Sequence, residues 1–452
     1  MLHPQADTPD RSEGDINLSP YRQAFHEECL DDTTRDWLAQ DADVFLHQAL
    51  STPCLDVLDS ADGAAVTDLQ GRRLLDFHGN SLHQVGYNNP AIIDAVVDQI
   101  RRLPFCPRRY TNKVAVELGQ LLTSLAPGDL NKLTLCPGGT EAVSIALKIA
   151  RITTGRYKTV SWWDSFHGAT LDAISIGGQA HFRRDIGPLL PGCIHVPPPG
   201  KYRNPMGSPE AAADYLEYVF DTEGDIAAFI AEPVRCTSVT VPPVEYWQRV
   251  REVCDRHGAL MIIDEIPTGL GVTGKLFACE HAGVIPDVVC LGKGLGGGVW
   301  PQAGVVVREH LDVTRHTSIG HYTHEKSPGG CAAALATLKF ITDNDLPARA
   351  ATLGERTVTK LKALQDKHDL IGSVRGVGLV MGIELISDRA TKSPAPQAAE
   401  RCMYECLKRG LSFKVSCGNV ITWTPSLVTT DEEMDHAVNI LDESLSVIAS
   451  TS

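Results

Sequence analysis

Three short stretches carry residue types that could do chemistry together. The first is Pro137-Gly138-Gly139-Thr140-Glu141-Ala142, two glycines that follow an apolar run and open a helical pattern. Backbone N–H groups at such a helix start, with a threonine hydroxyl beside them, form an anion site suited to a phosphate ester. A plain strand-to-helix turn uses the same residues. The second is Ile262-Ile263-Asp264-Glu265, a carboxylate at the C-terminal end of a buried run. Ligands of open α/β sheets sit beyond such strand ends, and a cap on the next segment is the alternative. The third is Cys290-Leu291-Gly292-Lys293-Gly294-Leu295-Gly296-Gly297-Gly298, a lysine that its glycine neighbours leave open to close approach. A desolvated lysine is a natural Schiff-base nucleophile, whereas a lone loop lysine is ordinarily just solvated. A dinucleotide fingerprint is excluded, because no acidic residue follows at the end of a second strand in a βαβ layout.

Together and in this order, the three form the layout that holds pyridoxal 5′-phosphate. Gly139 and Thr140 would anchor the phosphate. Asp264 would pair with the pyridinium nitrogen and keep it protonated, so that the ring draws electrons. Lys293 would carry the Schiff base and then shuttle protons.

The elements that must position these residues alternate between strand and helix, the signature of a parallel sheet with crossover helices. Strands are predicted at Lys132–Cys136, Thr159–Trp163, Ile226–Ala231, Ala259–Ile263, Val288–Leu291 and Ala303–Val307, and helices at Thr140–Ile152, Val244–His257 and Cys331–Thr342. Two short strands, Ala64–Thr67 and Arg73–Phe77, flank a turn at Gln70–Gly71. Beyond them the grammar changes. Helix Ala351–Lys367, a strand pair Val374–Leu385 broken at Gly376 and Gly378, helix Gln397–Lys408, a short sheet from Ser412–Val415 and Val420–Trp423, and helix Asp431–Ile448 read as a smaller α+β unit. The expected division is residues 1–75, an N-terminal arm and part of the small domain; 76–345, a large cofactor-binding domain; and 346–452, a C-terminal small domain. Residues 1 to about 35 carry few apolar anchors and read as a loosely held arm.

With 41 Lys+Arg against 56 Asp+Glu, the net charge of −15 disfavours a nucleic-acid partner, which would need basic clusters. No apolar run approaches the ~18 residues of a membrane span. The start, MLHPQADTPDRSEGDINLSP, is unlike a secretory signal. Thirteen cysteines without a framework fit reduced thiols in a cytoplasm. Cys402 and Cys406, four apart in a helical stretch, read as helix packing, and no metal site is expected.

The motifs GGTEAVSIALKIAR, DSFHGAT, AEP, IIDE, FACEHAGVIPDVVCLGKGLGGG and SPGGCAAALATL resemble, in this order and over roughly residues 45–445, the class-III aminotransferases. That family includes the ornithine and 4-aminobutyrate aminotransferases. The resemblance implies an α/β, fold-type-I pyridoxal-phosphate enzyme, its large domain built on a mostly parallel central sheet flanked by helices. It also implies that Phe166 stacks on one face of the pyridine ring and Ile266 presses on the other. His167 and Glu232 would fall beside the cofactor, with a structural hydrogen bond as the alternative role for Glu232. Thr323 would reach the phosphate of the neighbouring subunit, giving a homodimer with shared sites.

The chain also departs from that pattern. Family members that use 2-oxoglutarate hold its carboxylate with an arginine just before a Pro-Pro-Leu motif. Here the stretch is Val420-Ile421-Thr422-Trp423-Thr424-Pro425-Ser426-Leu427, and the arginine position is Thr422. A hydroxyl does not replace a bidentate guanidinium. The family's Gln-Gly-Glu-Gly-Gly after Ala-Glu-Pro is replaced by Val234-Arg235-Cys236-Thr237-Ser238, and a glutamine near the phenolic oxygen by Pro267. Cations appear elsewhere, at Arg108, Arg109, Arg235 and Lys326. Two or more guanidinium groups suit a phosphonate, so Arg108, Arg109 and Arg235 are the candidates to bind substrate. The stretches DFHGNSLHQVGY, LPFCPRRYTN and GHYTHEKSP resemble the branch of (R)-1-hydroxy-2-aminoethylphosphonate ammonia-lyases of bacterial phosphonate degradation. His83, His167, His321 and His324 are candidates to protonate a leaving hydroxyl. The expected function is thus a lyase that eliminates ammonia from a small phosphonated amino-alcohol. The alternatives are an ω-aminotransferase or an ethanolamine-phosphate phospholyase. A non-catalytic protein on this fold would require a loss that Lys293, Asp264 and the phosphate turn do not show.

Overall fold

The computed structural model describes residues 18–200 and 202–450. Its centre is a seven-stranded sheet in the order Leu130–Cys136, Ala303–Arg308, Val288–Leu291, Leu260–Asp264, Ile226–Ala231, Lys158–Trp162, Cys193–Val196. The last five strands pair in parallel. Ala303–Arg308 runs antiparallel to both of its neighbours. Helices cover both faces, so the inner strands are buried on both sides and mostly apolar. Ile226–Ala231 is buried throughout, which is why such strands read as continuous apolar runs and not as alternating ones. Helix Gly139–Thr154 follows the first strand and stops at Gly155, and helix Val244–His257 stops at Gly258; both glycines take the left-handed conformation of a helix end.

A second sheet orders Ile371–Val377, Val380–Asp388, Val420–Trp423 and Lys414–Ser416, with Ser393–Pro394 beside Val380–Asp388. A third joins the two ends of the chain. Leu58–Asp62, Ala65–Asp68 and Arg73–Asp76 form a meander, and Leu411–Ser412 adds in parallel to its edge. Among the described residues no helix is long and apolar enough to cross a membrane.

The structure corrects several expectations. Residues 1–17 of the expected arm lie outside the described residues. The rest is not loose: Pro20–Cys29 and Asp32–Val44 are helices, started by the Ser19 and Asp31 side chains. Phe25 is buried against Tyr404, ring centres 5.5 Å apart, and Ser19 donates to Glu400. These anchors stand on helix Pro396–Lys408, so nothing local in the sequence announces them. The expected strand Ser412–Val415 is split at Phe413, its halves pairing with different sheets. Gly376 lies within a strand, and only Gly378, at φ 53°, makes the break. Strand Cys193–Val196 and helices Pro90–Arg102, Lys113–Leu125 and Pro209–Glu223 complete the unit without having been assigned from sequence. Cys402 and Cys406 are buried on one helix, and all thirteen cysteines are free thiols.

Phe25→Ala should remove about 3 kcal/mol of local packing and release the segment around it. Limited proteolysis should then cut within residues 18–57 before it cuts elsewhere; wild-type resistance there would show that Phe25 is not the anchor.

Candidate active site

Asp264 closes the Leu260–Asp264 strand and is 2% exposed. One oxygen, Oδ2, lies 2.7 Å from His167 Nδ1, and the other accepts the Ile266 N–H at 3.0 Å. Strand alternation turns the adjacent Glu265 away. It accepts the N–H groups of Ala278 and Cys279 at 2.7 and 2.6 Å, and burial raises it to about 7. Of the two neighbouring carboxylates, then, Asp264 faces the cavity and Glu265 braces the loop behind it.

The three motifs converge at this strand end. A Cβ on Gly139 would meet Ile266 Cδ1 at 2.9 Å, and one on Gly292 would lie 3.4 Å from both Gly139 Cα and Ile266 Cγ2. A side chain at 139 would push Ile266 aside, because the helix starts hard against it. Gly168, at φ 130°, packs its backbone on Thr140, whose hydroxyl accepts the Thr170 N–H at 3.1 Å. Lys293 follows the Val288–Leu291 strand in a short 3₁₀ turn at φ 45°, a left-handed residue between glycines. Gly139, Thr140, Phe166, His167, Glu232, Asp264, Ile266 and Lys293 all line one cavity of about 380 Å³. Its size falls in the range of small-molecule sites. Phe166 leans on Phe182, which also lines the cavity, with ring centres 4.5 Å apart. His167 Nε2 is buried without a hydrogen-bond partner. A carboxylate, a primary amine and a glycine turn with a threonine hydroxyl, set around an aromatic-walled cavity, fit a ligand with a ring nitrogen, an aldehyde and a phosphate.

The expected substrate cations fare differently. Arg235 lines the cavity, but its guanidinium is held by Glu232 Oε1 at 2.5 Å and by the backbone carbonyl of Asp164. Glu232 in turn accepts the Cys236 N–H at 2.9 Å. Burial lifts the Asp164 carboxyl to about 6, against the pull of the Arg235 charge. Arg235 is therefore already compensated. Arg108 lies outside this cavity and pairs with Glu325 at 3.0 Å; Arg109 is exposed and also outside, as are Lys326 and Thr323.

Of the four candidate histidines only His167 reaches the cavity. His83 is buried on the Asp76 carbonyl at 2.8 Å, and His321 and His324 are exposed. His78, which was not singled out, lines the cavity. Burial, then the Lys414 charge, holds it down at about 4, so it is neutral near pH 7. Lys414, Ser416 and Thr424 were also missed. The signal for them was register: Lys414 stands directly opposite Thr422 in an antiparallel pair.

A family model described as aminotransferase class-III matches residues 48–445. The (R)-1-hydroxy-2-aminoethylphosphonate ammonia-lyase of Vibrio splendidus (strain 12B01) is 45% identical, covering 97% of this chain and 95% of its own length. The acetylornithine aminotransferase of Methanopyrus kandleri is 36% identical over 85% of this chain and 92% of its own. Among solved structures, a Bacillus anthracis aminotransferase superposes with a TM-score of 0.87 at 28% identity, covering 93% of this chain and 100% of its own. An amine transaminase from an uncultivated Pseudomonas species, in its PLP-bound form, gives 0.84 at 32% identity, covering 89% and 98%.

His167→Ala would take away one of the two hydrogen bonds described for the Asp264 carboxylate. Weakening the support of a buried carboxylate costs about 1–3 kcal/mol, so the ligand-free protein should melt measurably earlier; an unchanged melting temperature would contradict this support.

Proposed function

The chain belongs to the class-III aminotransferase family of fold-type-I, pyridoxal-phosphate-dependent enzymes, and from that premise we propose that it is an ammonia-lyase. Its substrate in this reading is (R)-1-hydroxy-2-aminoethylphosphonate, and its products are phosphonoacetaldehyde and ammonia. The observation that carries the reading is Thr422. It lines the cavity where an oxoacid carboxylate would need a guanidinium, and its hydroxyl donates to the Thr237 carbonyl at 3.1 Å. A cavity without a bidentate partner for an oxoacid suits a reaction that needs none. The similarity to the Vibrio splendidus lyase over nearly the whole chain points the same way.

Gly139 and Thr140 would hold the cofactor phosphate, Phe166 and Ile266 the faces of the ring, Asp264 the ring nitrogen, and Lys293 the aldehyde carbon. When bound, pyridoxal 5′-phosphate supplies a carbonyl that condenses with amines and a ring that accepts an electron pair. The chain's own groups do the rest. His167 fixes the Asp264 carboxylate, so that it keeps a proton on the ring nitrogen. Lys293, freed when the substrate amine takes its place, removes a proton from the amine-bearing carbon. Carrying that proton, the same ammonium is the donor to the hydroxyl on the adjacent carbon, which departs as water. The unsaturated amine that leaves takes up water and splits into aldehyde and ammonia, so the net change is loss of ammonia.

The reading includes a homodimer in which the exposed Thr323 contributes to its neighbour's phosphate site, and a cytoplasmic location, to which thirteen free thiols are suited.

Purified holoenzyme given the substrate without any oxoacid should release ammonia and aldehyde in equal amounts, and Lys293→Ala should release neither. Turnover that requires an oxoacid and yields an amino acid would make the chain a transaminase instead.

A further inference from the structure

We propose that Lys414, with the hydroxyls of Ser416 and Thr237, forms the subsite that holds the substrate's phosphonate; this rests on the phosphonate-lyase reading above and names the residues that reading lacks. The cavity has two chemically distinct ends. At one, Gly139, Thr140, Gly168 and Ile266 crowd backbone against backbone. The other is lined by Lys414, Ser416, Thr422, Thr424, Thr237 and His78. Hydrogen bonds tie that end together: Thr422 Oγ1 donates to the Thr237 carbonyl at 3.1 Å, and Thr424 Oγ1 lies 3.3 Å from the carbonyls of Phe77 and His78. Lys293 lies close enough to this end for its charge to act on both His78 and Cys236, which also feel Lys414. A substrate whose amine is at Lys293 thus extends its other end toward Lys414.

Sheet geometry aims the lysine. Lys414 and Thr422 are cross-strand partners, so their Cβ atoms stand about 5 Å apart on the same face. Ser416, two residues along, shares that face. The split of the strand at Phe413 matters here, because it frees Lys414–Ser416 to pair with Val420–Trp423 and face the cavity. The cation missing at position 422 is in effect supplied from across the ladder.

Two orphaned hydroxyls point to a ligand at this end. Ser416 is fully buried, and its Oγ has no hydrogen-bond partner; Thr237 Oγ1 is likewise buried and unpartnered. Buried hydroxyls are almost always bonded, and both belong to residues that line the cavity beside Lys414. A tetrahedral dianion offers what they lack: several acceptor oxygens in different directions. An ammonium serves it as a point charge, without the planar fork that a carboxylate prefers. Arg235 is less suited to the task, since drawing it onto the substrate would strip Glu232 of its charged partner in a buried site.

The test compares wild-type holoenzyme with Lys414→Met, Lys414→Arg and Ser416→Ala, each checked for an unaltered cofactor absorbance. Lys414→Met should raise KM for (R)-1-hydroxy-2-aminoethylphosphonate by roughly 30-fold or more, about 2 kcal/mol, with kcat changed less than about threefold. Lys414→Arg should recover most of the loss and guards against a folding defect in the Met variant; Ser416→Ala should sit between. A KM for Lys414→Met within about threefold of wild type, while wild type turns over the phosphonate, overturns the subsite and leaves the lyase reading standing. Calorimetric titration with methylphosphonate, which cannot react, reads the subsite without the chemistry. Binding to wild type that Lys414→Met abolishes supports it even if no ammonia is released, in which case only the lyase reading fails. Absence of methylphosphonate binding to wild type, or equal binding to Lys414→Met, overturns it.

Discussion

A carboxylate buried at the end of a strand must be held on both of its oxygens, and the architecture around the cavity follows from holding Asp264. Desolvating an anion without partners is costly. His167 supplies one partner and the Ile266 N–H the other. His167 in turn comes from the loop after the Lys158–Trp162 strand, which therefore must lie on the same edge of the sheet. That loop closes on the start of helix Gly139–Thr154 through Gly168 and Thr140. Parallel pairing does the remaining work, because it places the C-terminal ends of successive strands side by side. Glu232, Asp264 and Lys293, each at or just beyond the end of a different parallel strand, meet without any of them being near another in sequence.

Charge is distributed with the same economy. The cavity contains three cationic side chains, Lys293, Arg235 and Lys414. Arg235 is bound into a buried pair with Glu232 and acts on Asp164, so it shapes the wall. Burial, helped by the charges of Lys414 and Lys293, keeps His78 neutral. A site of this kind offers two primary amines, Lys293 and Lys414, one for the covalent chemistry and one for the anion of the proposed reaction.

Much of this was legible from sequence, for reasons that differ by element. Buried parallel strands such as Ile226–Ala231 and Val288–Leu291 are unbroken apolar runs, and their predicted bounds match the structure. Gly139, Asp264 and Lys293 were legible because each sits in a local motif whose chemistry depends on immediate neighbours. Lys414 and His78 were not, because their places are set by antiparallel register and by a strand that changes sheets at Phe413. The helices at Pro20–Val44 were read as a loose arm because their anchors, Tyr404 and Glu400, lie far along the chain. Arg108 and Arg109 are not among the residues lining this protomer's cavity, so residue type alone does not tie them to it.

The most direct measurement is the absorbance spectrum of the holoenzyme before and after it consumes one equivalent of (R)-1-hydroxy-2-aminoethylphosphonate with no oxoacid present. A lyase built on Lys293 and Asp264 must finish with its cofactor aldehyde intact, so the starting spectrum should return in full while one equivalent of ammonia appears. A lasting conversion to the amine form of the cofactor, with the nitrogen retained on it and no ammonia in solution, would contradict that and identify half of a transamination.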